Sequence, residues 1–111
     1  SIGIGQTQEM MKTIQNIINI VKYHYNIELN ENSIHYERFV THLKFFLKRV
    51  FSGQELEDGD LNFFLMIRSQ YKKAYACVLK VYDYIQKEYG LTLTNDEMMY
   101  LTVHIHRVTT E

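Results

Sequence analysis

The chain contains no proline and one cysteine, and its 12 Lys and Arg residues nearly balance 13 Asp and Glu, giving a formal charge of -1. Each shortage excludes something. Without proline or a low-complexity stretch there is no marked linker, so the 111 residues read as one domain. A lone Cys77 allows no intrachain disulfide and excludes a four-cysteine zinc site, which suits a reducing compartment. The near-neutral charge, with dispersed cations, offers no basic field for nucleic acid. No apolar run approaches the roughly 18 residues that span a bilayer, and no secretory signal opens the chain. A cytoplasmic location with no membrane association is expected.

What is present is helical periodicity. Hydrophobic residues make up 46% and charged residues 23%, ordinary globular usage for a chain able to form its own core. Met10, Ile14, Ile17, Ile18, Val21 and Tyr25 form one stripe, predicting a first helix that stops between Asn26 and Asn30. Asn32 or Ser33 then caps a second helix, whose core face is Phe39, Leu43, Phe46 and Val50 and whose end falls near Ser52-Gly53. The polar QELEDGD segment reads as a loop. The FFLMI run from Leu61 predicts a short third helix with a break at Arg68-Ser69-Gln70; a buried strand is the poorer reading in helical surroundings.

Tyr71, Ala74, Tyr75, Val78, Val81, Tyr82, Ile85 and Tyr89 share a fourth helical face that ends at Gly90. Thr94-Asn95-Asp96-Glu97 is a capping box, with Leu93 and Met98 as its hydrophobic staple, and opens a fifth helix. The expected fold is therefore all-α, a compact bundle of five helices: two antiparallel pairs plus the short one. Residues 1–5 read as a junction or linker remnant and residues 6–111 as the single domain.

Two histidines occupy matching positions on this scheme. At about 100° per residue, His42 lies roughly 60° from the core face of the second helix, and His104 similarly from the face made by Met98, Leu101, Ile105 and Val108. Arg38 and Arg49 lie on the His42 stripe, and Glu97, Tyr100 and Arg107 flank His104. A boundary histidine is usually just an amphipathic side chain with a wet tip. Glu97 needs no role beyond capping, and the arginines read equally well as solvated charges. The matched geometry on two helices raises the functional reading.

His35 falls one turn before Arg38, near the His42 stripe, as a candidate second line of contact. His106 lies roughly 160° around the helix from His104 and is expected at a surface or interface, as is His24 on the first helix. Tyrosines at helical spacing suit core or subunit contact better than base stacking, and Met98-Met99 suit bundle packing.

The strings NENSIHYERFVTHLKFFLKRVF and LTNDEMMYLTVHIHRV resemble the two histidine-bearing helices of the PTS-regulation domain of bacterial transcriptional antiterminators of the BglG/SacY/LicT type. The likeness extends through INIVKYHYNIELNENS and YKKAYACVLKVYDYIQKEYG, covering nearly the whole chain, and THLKFF and YLTVHIHRV look typical of the second of two tandem copies. The resemblance implies that His42 and His104 accept phosphoryl groups, with phospho-HPr as donor and a sugar-specific Enzyme II as a further partner. It implies a homodimer whose compactness responds to the modification, and RNA binding only through an N-terminal domain outside this sequence. Arg38, Arg49, Glu97, Tyr100, Arg107 and His35 would surround the acceptors. No cofactor, metal or catalytic residue is implied: the domain is a substrate of its donor.

Three rivals differ in kind. A metal or acid-base enzyme would need His42, His104 and Glu97 to converge on one ion or a deep cleft, and the HExxH spacing is absent. A plain helical dimerisation module would merely pack its histidines. The same regulatory domain attached to a DNA-binding activator would differ only in its flanking domains.

Overall fold

The computed structural model describes residues 3–54 and 57–110 as five helices: α1 (Ile4–Tyr25), α2 (Ile34–Ser52), α3 (Leu61–Gln70), α4 (Lys72–Tyr89) and α5 (Asn95–Thr109). Glu55 and Leu56 of the expected QELEDGD loop, and residues 1, 2 and 111, lie outside the described residues. Ile4 and Gly5, read from sequence as part of a junction, form the first turn of α1, although the Ile4 side chain is 82% exposed and joins no core.

The helices start and stop where local chemistry satisfies their end groups. Ser33 caps α2 by accepting the Tyr36 N–H at 3.0 Å. Gly53 and Gly90, at φ +75° and +65°, close α2 and α4 in the left-handed region, where glycine carries no Cβ penalty. Asn26 closes α1 in the same conformation, at φ +54°. Thr94 and Glu97 form the reciprocal capping box of α5, and Asp58, from the segment between α2 and α3, accepts the Asn95 N–H at 2.8 Å. The α5 N-terminus is thus held by a capping side chain and by a second carboxylate, which the helix dipole favours.

Packing sets a ring of four helices: α1 lies against α2 and α4, and α5 against α2 and α4, with α3 laid over α4 and α5. The Cα radius of gyration is 13.5 Å, close to the roughly 13 Å expected for this length. Ile17, Val21, Phe39, Leu43, Phe46, Leu47, Val78, Val81, Ile85, Leu101 and Ile105 fill the centre and are almost fully buried. Cys77 is among them, and burial pushes its thiol up to about 12, so it packs as a small hydrophobe. A polar seam crosses the α1/α4 interface: the Tyr89 hydroxyl donates to Glu9 at 2.7 Å and lies 2.6 Å from Thr13 Oγ1, while Asn16 donates to Tyr84 at 2.9 Å.

The break between α3 and α4 falls at Tyr71, one to three residues later than the sequence suggested. No glycine or proline marks it. A single residue at φ -117°, ψ 59° turns the chain, and its ring packs against His106, centroids 4.2 Å apart. His106, expected at a surface or interface, is therefore half-buried at the α4/α5 junction. His24, also expected at the surface, is half-buried as well: its Nε2 lies 3.1 Å from the Lys73 carbonyl, fastening the end of α1 to the start of α4.

In α3 only Phe64 and Ile67 are buried. Leu61, Phe63 and Met66 are about half exposed and Leu65 is 36% exposed, so the run that reads as continuous core leaves one apolar face uncovered.

Candidate functional site

Because α2 and α5 pack side by side, their two shoulder histidines meet. The imidazole rings of His42 and His104 stack with centroids 4.0 Å apart and planes inclined by 25°. Both are half-buried. Tyr100, one turn before His104 on α5, stands edge-on to both rings, at 5.3 Å from His42 and 4.6 Å from His104. Its hydroxyl is hydrogen-bonded to His42 Nδ1.

Arginines surround this pair. The Arg49 guanidinium lies over the Tyr100 ring, Cζ 5.3 Å from the centroid. Its Nε and Nη2 are buried with no hydrogen-bond partner among the described residues. Burial lowers the His42 pKa, and the positive charges of Arg107, Arg38 and Arg49 lower it further. His104 is pushed down to about 4, first by burial, then by His42 and Arg107. At neutral pH both rings are uncharged and each keeps one nitrogen lone pair. Burial raises the Tyr100 pKa, while the charge and hydrogen bond of Arg49 oppose that rise.

The surrounding residues divide plainly. His42, His104, Tyr100 and Arg49 come together, and Arg38 and Arg107 lie near enough for their charges to act on His42. Glu97 is committed elsewhere: it is 1% exposed, and its Oε1 accepts the Thr94 N–H at 2.9 Å and its hydroxyl at 3.2 Å. It reaches the neighbourhood only through a small cleft of about 30 Å³ that it shares with Arg49. His35 is half-buried in the first turn of α2, and no ring contact or hydrogen bond among the described residues joins it to the pair. Among those residues no group of three or more His, Cys, Asp or Glu side chains is placed to hold a metal ion.

Sequence reasoning did not find one neighbour. Phe63 of α3, with Met99, Tyr100, Val103 and Asp96, lines an open groove of about 310 Å³ that runs up to His104. The only signal for it was the FFLMI run, whose orientation periodicity could not fix.

The chemistry of this helical bundle is concentrated in a stacked imidazole pair, neutral at pH 7, with arginine charges acting on it. The chain belongs to the PRD family: the PRD domain matches residues 15–108, nearly all of it. It is 50% identical over 97 residues to "Transcription antiterminator LicT" of Bacillus subtilis, covering 87% of this chain and 35% of that protein. It is 39% identical over 106 residues to "Beta-glucoside operon antiterminator" of Dickeya chrysanthemi, covering 96% and 38%. "Protein GlcT" of Staphylococcus epidermidis is 30% identical over 105 residues, covering 95% and 37%. The chain thus spans little more than a third of the length of these relatives. Among the described residues no helix is long and apolar enough to cross a membrane.

Proposed function

We propose that this domain is the second PTS-regulation domain of a transcription antiterminator, and that His42 and His104 accept phosphoryl groups from phospho-HPr. The observation that carries the reading is the stacked pair of neutral imidazoles set among Arg38, Arg49 and Arg107. A neutral imidazole nitrogen attacks the donor's phosphorus, the donor's N–P bond breaks, and the group arrives where guanidinium charges offset its own. The donor supplies the activated group and the positioning, so this domain serves as substrate.

A phosphoryl group adds about two negative charges to an imidazole pair that was neutral. That change biases how copies of the domain assemble, and through their dimer it controls an RNA-binding domain elsewhere in the polypeptide. A sugar-specific Enzyme II acts on the companion copy. The relatives from Bacillus subtilis and Dickeya chrysanthemi are both named antiterminators, which favours an antiterminator over a DNA-binding activator.

The test is intact-mass analysis after incubation with phosphoenolpyruvate, Enzyme I and HPr. Acid-labile gains of phosphoryl mass, diminished in both His42→Ala and His104→Ala, are expected. Absence of any gain, under conditions that charge a control acceptor, would refute the proposal.

A further inference from the structure

We propose that Tyr100 is a positioning residue that holds His42 with its ring proton on Nδ1, so that His42 accepts the phosphoryl group on Nε2 alone. The inference rests on the acceptor reading above and assigns the reacting atom within it.

The Tyr100 hydroxyl and His42 Nδ1 share a hydrogen bond that can run in either direction. The acceptor role sets its polarity, because with Nδ1 engaged by the hydroxyl only Nε2 can supply a free lone pair. The Tyr100 oxygen has lone pairs to accept with, and the Arg49 guanidinium lies over its ring, Cζ 5.3 Å from the centroid. The ring of His42 is uncharged near neutral pH, so it carries one proton, and a proton on Nδ1 can donate into the same electron-rich oxygen. The order Tyr100 oxygen, His42 Nδ1–H leaves the Nε2 lone pair free.

The reverse polarity would leave His42 without an available nucleophile. A Tyr100 O–H donating to Nδ1 would occupy that lone pair, and the ring proton would then sit on Nε2. Phosphorylation at Nδ1 would also displace the Tyr100 hydroxyl from the atom it contacts. Stacking against His104 does not obstruct Nε2, because the lone pair lies in the ring plane and His104 covers the ring face. In the transfer, the Nε2 pair forms the new N–P bond, and the pair of the broken N–P bond returns to the donor nitrogen. The Nδ1 proton stays on His42, bonded to Tyr100.

The experiment uses the full chain labelled with ¹⁵N. Long-range ¹H–¹⁵N spectra of the unmodified protein report which nitrogen of His42 is protonated. The same spectra after charging with phosphoenolpyruvate, Enzyme I and HPr, with ³¹P couplings, report which nitrogen is phosphorylated. A single Nδ1–H tautomer and a single Nε2-phosphoryl isomer are expected. Tyr100→Phe keeps the ring and the Arg49 contact, with a melting curve as the folding control. It should give mixed tautomers at His42 and slow its phosphorylation by roughly two- to tenfold, the factor by which the reactive population falls. A proton on Nε2 in the native protein, or an Nδ1-phosphoryl product, overturns the tautomer assignment while leaving the acceptor reading intact. No phosphoryl gain at all overturns the acceptor reading and the Nε2 acceptance together.

Discussion

Acidification should unfold this domain through His104. Its pKa is pushed down from 6.5 to about 4 in the fold, so between those values the unfolded chain binds a proton that the native site refuses. The sign follows directly: the penalty is absent above pH 6.5 and grows as pH falls toward 4. At pH 5.0 the linkage relation gives a loss of about 2 kcal/mol relative to pH 7.5, an upper figure because the ring is partly open to screening water. His42 is shifted in the same direction and adds to the loss. For a domain of this size, 1 kcal/mol moves the melting temperature by about 4–8 °C, so a fall on the order of 10 °C is expected from the pair. Thermal unfolding by circular dichroism at pH 7.5, 6.5, 5.5 and 5.0, for the native chain and for His104→Gln, measures it. The glutamine variant should lose most of the pH dependence in this window. An equal slope in both proteins would refute the claim that His104 is held neutral by its surroundings.

Three other outcomes follow from the same geometry. Thr94→Ala removes the cap that accepts the Glu97 N–H at 3.2 Å and should cost about 1 kcal/mol in urea unfolding, with faster amide exchange confined to the first turn of α5. Phe46→Ala empties a fully buried site in the core and should cost about 3–5 kcal/mol, read as a lower urea midpoint. Two phosphoryl groups on rings 4.0 Å apart would repel by about 2 kcal/mol even with the full screening of water, taking charges near -1.75 about 6 Å apart. In intact-mass spectra during limited phosphorylation, the doubly modified species should therefore fall well below the product of the single occupancies; a statistical proportion would show that the rings separate freely.

The sequence made helix positions legible because each depends on a few local residues. The α1 stripe, the Ser33 cap, the Thr94–Glu97 box and the closing glycines Gly53 and Gly90 all act within a turn or two of chain. The histidines were legible as shoulder residues for the same reason: angle around one axis is a local property. Their stacking was not, because it depends on the relative height and crossing of α2 and α5, which no single-helix pattern encodes. Likewise α3 was recognisable as a helix, yet its exposed face was not, since five consecutive apolar residues define no direction. The contacts of His24 and His106 were not legible because their partners, the Lys73 carbonyl and the Tyr71 ring, lie on other elements. Tyr71 itself breaks the chain with none of the residues that usually announce a break.

The placement of charge around the pair decides what a modification could change. The buried core faces of α2 and α5, Phe39, Leu43, Phe46, Leu101 and Ile105, offer a phosphoryl group no compensation. Arg38 and Arg107 are exposed, so their compensation is available from the solvent side, and the half-buried Arg49 adds its charge beside Tyr100. A phosphoryl group would consequently be held outward, over the rim shared with the apolar groove of Phe63, Met99 and Val103, and away from the core. Its charge would then alter the surface built by α2, α3 and α5 far more than the packing within the bundle. Phosphorylation is therefore expected to move the melting temperature by less than about 4–8 °C, the equivalent of 1 kcal/mol, while changing the self-association constant by roughly tenfold or more. Analytical ultracentrifugation and calorimetry on the same charged and uncharged samples compare the two effects. Loss of the folded bundle with unchanged self-association would show that the charge acts on the core, contrary to this arrangement.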